Sequence, residues 1–425
     1  MLTTRICLIT VLGVFVLLPV PAQEAPAPLS LQQCIDIALD AQSDVLQGAR
    51  GVDAAAARQV QAKSGYYPQI TVGATSRVLE SGMPRAGDRT SGTLTITQNL
   101  YDGGLREARV SQAKSGLAQN TAGLERTRQT VTFNVAKSYL ALLRAHRLAE
   151  VSASQLTYIQ GQLDMVKARV QAGDAAEVDV IPIEAQLANA QVDQLAAKNA
   201  VRTTAIALQQ AMGLPPRTEF PIQDVTVQAE AAIPALDDCL AQAKSARPDV
   251  RQLKAGMDSA KASVKTAKIE LSPRPVVNGE LDQHFTGQSD RTVSINAGFA
   301  FDLFDGGSNR AAYDEAKANL AGAEIRAVQL DKDIAAQVQT AYLNLTDARE
   351  RMDASAFSLK SAQRNLDVQQ ERYRQGMAIP LDLLNAQVTL TTANSNAVQA
   401  RYDYYTALAQ LDYAMGTQGG WYAEK

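Results

Sequence analysis

The stretch QNLYDGGLREARVSQAK, Gln98 to Lys114, returns as FDLFDGGSNRAAYDEAK, Phe301 to Lys317. Each copy passes from an alternating segment through an aromatic residue, Tyr101 or Phe304, into Asp-Gly-Gly and then a long polar run. The two copies lie 203 residues apart. A chain that makes the same transition twice carries a duplicated unit. Asp102 and Asp305 suit a helix N-cap, and Gly103, Gly104, Gly306 and Gly307 relieve the turn, so the motif reads as a strand-to-helix corner.

The duplication reaches well beyond the corners. LQQCIDIALDAQSDV (31–45) matches LDDCLAQAKSARPDV (236–250), and Pro68 matches Pro273 at an offset of 205. KSYLAL (137–142) matches TAYLNL (340–345), RVQAGDAAEVDV (169–180) matches RYRQGMAIPLDL (372–383), and Ala-Met-Gly closes both copies at 211–213 and 414–416. The offset falls from 205 to 203 between the proline and the aromatic, where a hairpin loop absorbs a length change. The expected organisation is a leader at 1–22, a first repeat at 23–213, a linker at 214–234, a second repeat at 235–416 and a tail at 417–425.

Each repeat has one plan. Ser30 and Gln33 form a capping-box pattern that opens a short helix. Ser43, and Pro248 in the second repeat, mark a break and restart, and the next helix runs to about Tyr66, ended by Pro68. Two alternating segments follow. QITVGATSRV sets Ile70, Val72, Ala74 and Val78 against Gln69, Thr71, Thr75 and Arg77, and TLTITQNLY sets Leu94, Ile96 and Leu100 against Thr93, Thr95, Thr97 and Asn99. PVVNGELDQHF and TVSINAGFAFDLF do the same in the second copy, which predicts strand pairs over about 69–101 and 275–304 with one apolar and one polar face. The connectors ESGMPRAGDRTSG and TGQSDR are polar and turn-rich.

From Leu105 to Ala172 no proline or turn cluster interrupts the chain, which is 68 residues or roughly 100 Å of helix. Leu117, Leu124 and Val131, then Val135, Leu142, Ala149, Leu156, Leu163 and Val170, recur by sevens and predict side-by-side helix packing. A second long helix is expected from about Ser308 to Gln375. Gly173 and Gly376 end these helices in a C-cap context, and a returning helix runs back to Ala-Met-Gly, over about 177–212 in the first repeat.

Composition narrows the class. A net charge of −3 and a pI of about 5.6 give no footprint for nucleic acid, and aromatics are sparse at 5%. Arg5, the apolar ICLITVLGVFVLL and PVPAQ read as a secretory leader cleaved near Ala22. Cys7 lies too early and Cys34 too late for a lipid anchor. No later segment approaches the ~20 apolar residues of a membrane helix. Cys34 and Cys239 occupy equivalent positions, and two readings stay open: a disulfide in an oxidising compartment, or the favoured one, two small buried residues on amphipathic first helices.

Four two-faced strands cannot close a barrel, and open edges are not tolerated in lipid. Common small barrels begin at about eight strands of ~9–11 residues, so a barrel shared between chains fits, and three chains supply twelve strands. In its QNLYDGG and FDLFDGG corners, its twofold repeat and its G-x5-D turns, the chain resembles the TolC-like outer-membrane efflux proteins over 29–416. That resemblance implies a mainly α fold with a small β part. Long coiled-coil helices form a periplasmic α-barrel, and four strands per chain enter a trimeric 12-stranded transmembrane β-barrel. It further implies a homotrimer in the outer-membrane lipid of a Gram-negative bacterium. Such a trimer is a passive exit duct, docked to a periplasmic adaptor and a proton-driven or ATP-driven inner-membrane pump.

On the same resemblance Gly173 and Gly376 are turn glycines of the periplasmic tip, Asp179 and Asp382 acidic residues near its constriction, and Tyr373 a gate aromatic. Asp179 and Asp382 also suit the first turn of a helix in their own right. Ala378 stands where the family places a basic gate residue and Asn385 where it places a second Asp, which implies fewer ionic links at closure. Lys167, Arg169, Arg372 and Arg374 either face the adaptor or are simply solvated.

No catalytic, metal or cofactor constellation is legible. His146, expected to pack or line the tunnel, and His284, expected on a polar strand face, are the only histidines, and no G-x4-G-K-S/T phosphate loop is present. The chain therefore reads as no enzyme, with transport work supplied by a partner. Rival readings are a periplasmic adaptor, which carries a single hairpin, and a structural coiled-coil stalk.

Overall fold

The computed structural model of the protein describes residues 28–77, 89–216, 221–227, 233–285, 291–417 and 422–423. The leader, most of both strand connectors and parts of the linker and tail lie outside these residues. The elements of the first repeat are α1 (Leu31–Ala41), α2 (Ser43–Ser64), β1 (Gln69–Arg77), β2 (Arg89–Tyr101), α3 (Leu105–Ala172) and, after a 3-10 turn at Glu177–Asp179, α4 (Val180–Ala211). β3 (Thr226–Val227) lies in the linker. The second repeat adds α5 (Leu236–Ala246), α6 (Pro248–Glu270), β4 (Arg274–His284), β5 (Arg291–Ala300), α7 (Ser308–Arg374) and α8 (Pro380–Met415), and β6 (Tyr422–Ala423) follows. No helix among the described residues is long and apolar enough to cross a membrane.

The helices form one layer. Toward the strands its order is α2, α3, α6, α7; toward the turns it is α4, α3, α8, α7. α2 and α4 thus stack end to end along α3, and α6 and α8 along α7. Val131, Val135, Leu142 and Leu163 of the seven-residue series are buried and the remainder half-buried, because α3 has neighbours on two sides and open space on the others.

The junction of the stacked helices explains both Ala-Met-Gly motifs. α1 breaks from α2 at Gln42 and α5 from α6 at Arg247, both extended, with φ −69° and −66°. α4 and α8 end against these breaks in left-handed glycines, Gly213 at φ +74° and Gly416 at φ +78°. A Cβ on Gly213 would stand 2.9 Å from the Cα of Gln42, and one on Gly416 would stand 2.8 Å from the Cγ of Arg247. Both φ and space therefore demand glycine.

Around this junction lie two repeat-related cores. Cys34, Ile35, Val135, Tyr139, Leu142, Leu208 and Met212 belong to one, and Cys239, Ile334, Val338, Leu345, Leu411 and Met415 to the other. Both cysteines are free and fully buried, so the disulfide reading gives way to the packing one. Burial pushes the Cys34 thiol up to about 12, which leaves it unreactive. The Tyr139 hydroxyl reaches the carbonyls of Leu29 (2.9 Å) and Gln223 (2.6 Å) and ties the linker and the N-terminal segment to α3.

The second junction contains a buried charge. The Arg247 guanidinium forks onto Asp249, donating from Nε to Oδ1 at 3.1 Å and from Nη2 to Oδ2 at 2.5 Å. Its Nη1 donates to Gln337 and to the Ala414 carbonyl, both at 3.0 Å, and so caps the end of α8. Burial alone would raise the Asp249 carboxyl. The hydrogen bonds and charge of Arg247, the charge of Arg126 and the Val250 amide together outweigh it, and the carboxyl lies below the usual range.

The strands form a sheet of order β1-β2-β4-β5, antiparallel throughout. Its register builds rows across all four strands. Ile70, Ile96, Leu281 and Val293 align on one face, and Thr71, Thr95, Asp282 and Thr292 align on the other. Ile70, Val72, Val293, Ile295 and Phe299 are exposed, so the apolar face finds no cover among the described residues of the chain. On the polar face the Thr95 hydroxyl donates to Asp282 at 2.6 Å.

Three boundaries differ from expectation. α2 stops at Ser64 and the 65–67 segment turns, because Pro68 also restricts the residue before it. β2 starts at Arg89, and 89–92, expected in the loop, pair with 74–77. β5 ends at Ala300, so 301–304 are not strand. The repeat-equivalent residues 98–101 pair with 277–279, and the matching partner of 301–304 is β1, at the opposite edge of the same sheet.

Arg247→Ala strands Asp249 and the Ala414 carbonyl. Breaking a buried pair by removing one partner costs about 3–5 kcal/mol, so thermal unfolding of the variant should begin well below that of the parent. Because the Asp249 carboxyl is depressed, its contribution is complete above the ordinary Asp value of about 4 and is lost as pH falls through the folded value. The variant should accordingly show a flatter acid limb in a plot of unfolding temperature against pH.

Candidate functional site

The strand-to-helix corners come first, since they orient the sheet on the helices. Gly103 and Gly306 have φ +73° and +68°, and Gly104 and Gly307 both have φ +88°. The N-cap position falls on Gly104 and Gly307, not on the aspartates, which corrects the expected assignment. The paired left-handed glycines fold the chain back so that each carboxylate reaches the first turn from two residues upstream. Asp102 accepts from the Arg106 amide at 2.9 Å, and Asp305 accepts from the amides of Gly307 (2.9 Å) and Asn309 (2.7 Å). The backbone N–H groups of Asn309 and then Gly307 hold the Asp305 carboxyl below the usual range.

The two corners differ in surroundings. The first packs on the α6–β4 junction, where a Cβ on Gly103 would stand 3.0 Å from the Cβ of Arg274. Arg106 lies 4.1 Å over the Tyr66 ring and donates to the carbonyls of Asn99 (2.9 Å) and Gly65 (3.2 Å). Among the described residues nothing lies within 4 Å of a Cβ built on Gly306 or Gly307, and Leu303 and Phe304 are exposed at 90% and 91%. Their counterparts Leu100 and Tyr101 are about half as exposed, at 50% and 49%, because the first corner has a neighbour.

At the far end of the rods lie the two turns. Gly173, at φ +85°, donates its N–H to the Val170 carbonyl at 3.0 Å, and Asp174 donates to the Arg169 carbonyl at 2.9 Å. Gly376, at φ +73°, donates to Tyr373 at 3.1 Å, and Met377 donates to Arg372 at 2.8 Å. These are glycine-capped helix ends. Among the described residues a Cβ at either glycine meets nothing within 4 Å, so backbone conformation alone requires the residue.

Asp179 sits at the N-cap position of α4, half-buried, with no side-chain hydrogen bond. Asp382 lies in the first turn of α8, after Pro380, and accepts from the Ile379 amide at 3.3 Å. Both acids therefore flank the turns at helix N-termini, where negative charge is favourable. Tyr373 packs with Leu366, Leu383 and Ala386.

The basic residues expected to face outward are engaged within the chain. Lys167 meets Glu184 at 2.8 Å, Arg372 donates to the Met377 carbonyl at 3.4 Å and Arg374 meets Glu371 at 3.4 Å. Arg169 donates to the Tyr373 hydroxyl at 2.7 Å, from one hairpin to the other. Sequence reading missed this contact, since its partners are 204 residues apart. It also missed the exposed apolar residues Val178, Ile181, Met377, Ile379 and Leu381 around the two turns. Their signal was present: apolar side chains beside a turn glycine with no periodic partner.

His146 is exposed on α3, so it is not a packing residue of this chain, and His284 is exposed at the end of β4. No cluster of three or more His, Cys, Asp or Glu residues placed to hold a metal ion occurs among the described residues.

Known proteins share this architecture. The outer membrane efflux protein family matches residues 34–214 and 239–417, one match for each repeat. The chain is similar to the outer membrane efflux protein BepC of Brucella suis, 26% identical over 84% of this chain and 78% of that one. It is similar to the outer membrane protein TolC of Salmonella enteritidis, 24% identical over 86% and 77%. Among solved structures, the outer membrane protein VceC of Vibrio cholerae superposes with a TM-score of 0.77 over 91% of this chain and 96% of that one, at 18% identity. With both repeats matched and the whole architecture shared, the chain belongs to the outer membrane efflux protein family and is an outer-membrane duct for efflux or secretion.

Proposed function

We propose that three copies of this chain close head to tail into one continuous tube, a β-barrel in the membrane extended by a periplasmic helical tunnel. The observation that carries this is the pair of open edges. The sheet ends in β1 on one side and β5 on the other, and the helix layer ends in α2 and α4 on the same side as β1 and in α7 on the same side as β5. α7 presents exposed Ile325, Val328, Leu343 and Phe357, while α4 presents Val192, Leu195 and Ile206. Two different edges that satisfy each other form a heterologous contact, and a heterologous contact that closes makes a ring. Four strands per chain are too few for the smallest barrels of about eight, and three copies, the number the family resemblance implies, supply twelve.

The repeat specifies how the edges meet. Within the chain, Gln98 pairs with Gly279, Asn99 with Asn278 and Tyr101 with Val277. Carried across the repeat, at offsets of 203 and 205, these become Phe301 with Ala74, Asp302 with Gly73 and Phe304 with Val72 of the neighbouring copy. This pairing completes 301–304 as strand and seats the bare second corner on the neighbour's α2–β1 junction. The polar rows then line the lumen and the apolar rows face lipid.

At the other end three copies bring together rings of Asp179 and Asp382, which favour cations and tune passage through the constriction. Ala378 and Asn385 leave that ring without two charges expected of the family, so closure here leans on other contacts. The exposed apolar residues of the turns suit a periplasmic adaptor, and an inner-membrane pump joined through it supplies the work. The duct itself does no chemistry.

Two experiments test this reading. In the Ala74→Cys/Phe301→Cys double variant, oxidation should give a covalent ladder ending at three chains on a denaturing gel; Cys34 and Cys239, fully buried, should give none in the parent. A product that stays at one chain contradicts the proposed pairing. In planar bilayers, Asp382→Ala should raise single-channel conductance and weaken block by divalent cations, whereas unchanged conductance and block remove Asp382 from the constriction.

A further inference from the structure

Because the two repeats share one backbone plan, each contact across the seam inside the chain has a counterpart position on the chain's free flanks. The inner seam joins α3 of the first repeat to α6 and α8 of the second. Among the described residues four ion pairs cross it: Arg109 with Glu270 at 2.9 Å, Glu125 with Arg251 at 2.6 Å, Arg126 with Asp249 at 3.8 Å and Arg144 with Asp403 at 3.2 Å. α3 corresponds to α7 and α4 to α8 at an offset of 203, and α2 corresponds to α6 at 205. The four pairs therefore map onto Ala312 and Gly65, Val328 and Leu46, Gln329 and Asp44, and Asp347 and Ala200.

None of the four ion pairs survives the mapping. The pair Glu125 and Arg251 becomes two apolar residues, Val328 and Leu46, which are 59% and 49% exposed within the chain. The apolar part of the seam does persist. Leu140 lies in the buried core that contains Ala409, and the counterparts of these two, Leu343 and Ile206, are exposed on the opposite flanks α7 and α4. The flanks thus carry the greasy element of the inner seam without its charges.

That difference decides which repeats can meet. Three copies contribute six repeats of nearly one shape, so shape alone would also allow a first repeat to join a first, or a second to join a second. A second-on-second seam sets Val328 against Arg251, Ala312 against Glu270, and Asp347 against Asp403, two like charges. A first-on-first seam sets Glu125 against Leu46, Arg109 against Gly65, and Arg144 against Ala200, and so strands a charge at each place. Half-exposed ion pairs such as Glu125 with Arg251 add little affinity, but a charge facing an apolar residue or a like charge is costly. Specificity lies in that contrast.

Resting on the duct reading, we propose that these positions form a pairing code, ionic inside the chain and apolar between chains, in which Val328 of one copy docks on Leu46 of the neighbouring copy. The code admits the alternating order of repeats around the ring and rejects contacts between like repeats. Strand pairing alone cannot make that distinction, since backbone hydrogen bonds are the same in every seam.

The test uses the full mature protein extracted from membranes in detergent. Val328→Glu should lower the share of protein in three-chain particles about 5-fold or more, the low end for burying a polar group without a partner. Adding Leu46→Arg, which rewrites the inner pair into the outer seam, should restore the particle, whereas adding Leu46→Glu should not. A Val328→Glu variant that assembles like the parent, or a rescue by Glu equal to that by Arg, overturns the proposal. Joined by a short bis-maleimide, Leu46→Cys/Val328→Cys should give a ladder ending at three chains. Glu125→Cys/Leu46→Cys, which reports a first-on-first seam, should give single chains, and a ladder there overturns the code. A ladder from the strand pair Ala74→Cys/Phe301→Cys with none from Leu46→Cys/Val328→Cys overturns the helix contact and leaves the ring standing. No ladder from either overturns the ring and the code with it.

Discussion

The structure depends on backbone groups at the two sheet edges that have no partner among the described residues of the chain. β1 and β5 each present a free row of N–H and C=O groups, and the face between them is apolar and uncovered. In water such a sheet aggregates, and in lipid its edges cannot exist, because hydrocarbon offers nothing to hydrogen-bond. The fold is stable only where another strand meets each edge, and the same condition holds for the bare flanks of α4 and α7. Assembly is therefore part of folding for this chain. That explains how a protein with so few aromatic side chains and so thin a helix layer forms an ordered structure.

Duplication supplies the geometry of that assembly. Two repeats in one chain already make one seam of the tube, between β2 and β4 and between α3 and α6. The seam between chains repeats the design with small edits. Arg106 at the first corner, which gathers Tyr66, Gly65 and Asn99, becomes Asn309 at the second, which bonds Asp302 at 3.1 Å instead. Arg247, buried and bonded to Asp249, Gln337 and the Ala414 carbonyl, replaces Gln42. Arg169, which reaches across to Tyr373, becomes Arg372, which stays within its own turn. The repeats share a backbone plan, down to glycine φ angles within a few degrees at the corners, and differ where a side chain must recognise something particular.

Much of this is legible in the amino-acid sequence. Asp-Gly-Gly marks the corners because only paired left-handed glycines can turn a strand into a helix so tightly, and the 68-residue run without a breaker marks α3 from end to end. What escaped the sequence were relations between distant residues. Alternation extends β5 to Phe304, whereas the strand ends at Ala300, because alternation says nothing of whether a partner strand is at hand. Residue type favours the aspartates at the N-cap, whereas the glycines' φ angles move that position two residues on. At the tip, the turn glycines and acids stood out by type and spacing. Arg169 did not, since a lysine- and arginine-rich helix end looks solvated until its neighbour across the seam is known.

The central claim is that this chain is an incomplete wall that becomes a tube only among copies of itself. The most direct measurement is the mass of the particle extracted from membranes, corrected for bound detergent. The account predicts a particle of three chains that needs detergent to stay in solution and that does not exchange with single chains on dilution. A folded single chain, stable in detergent-free buffer, would contradict it.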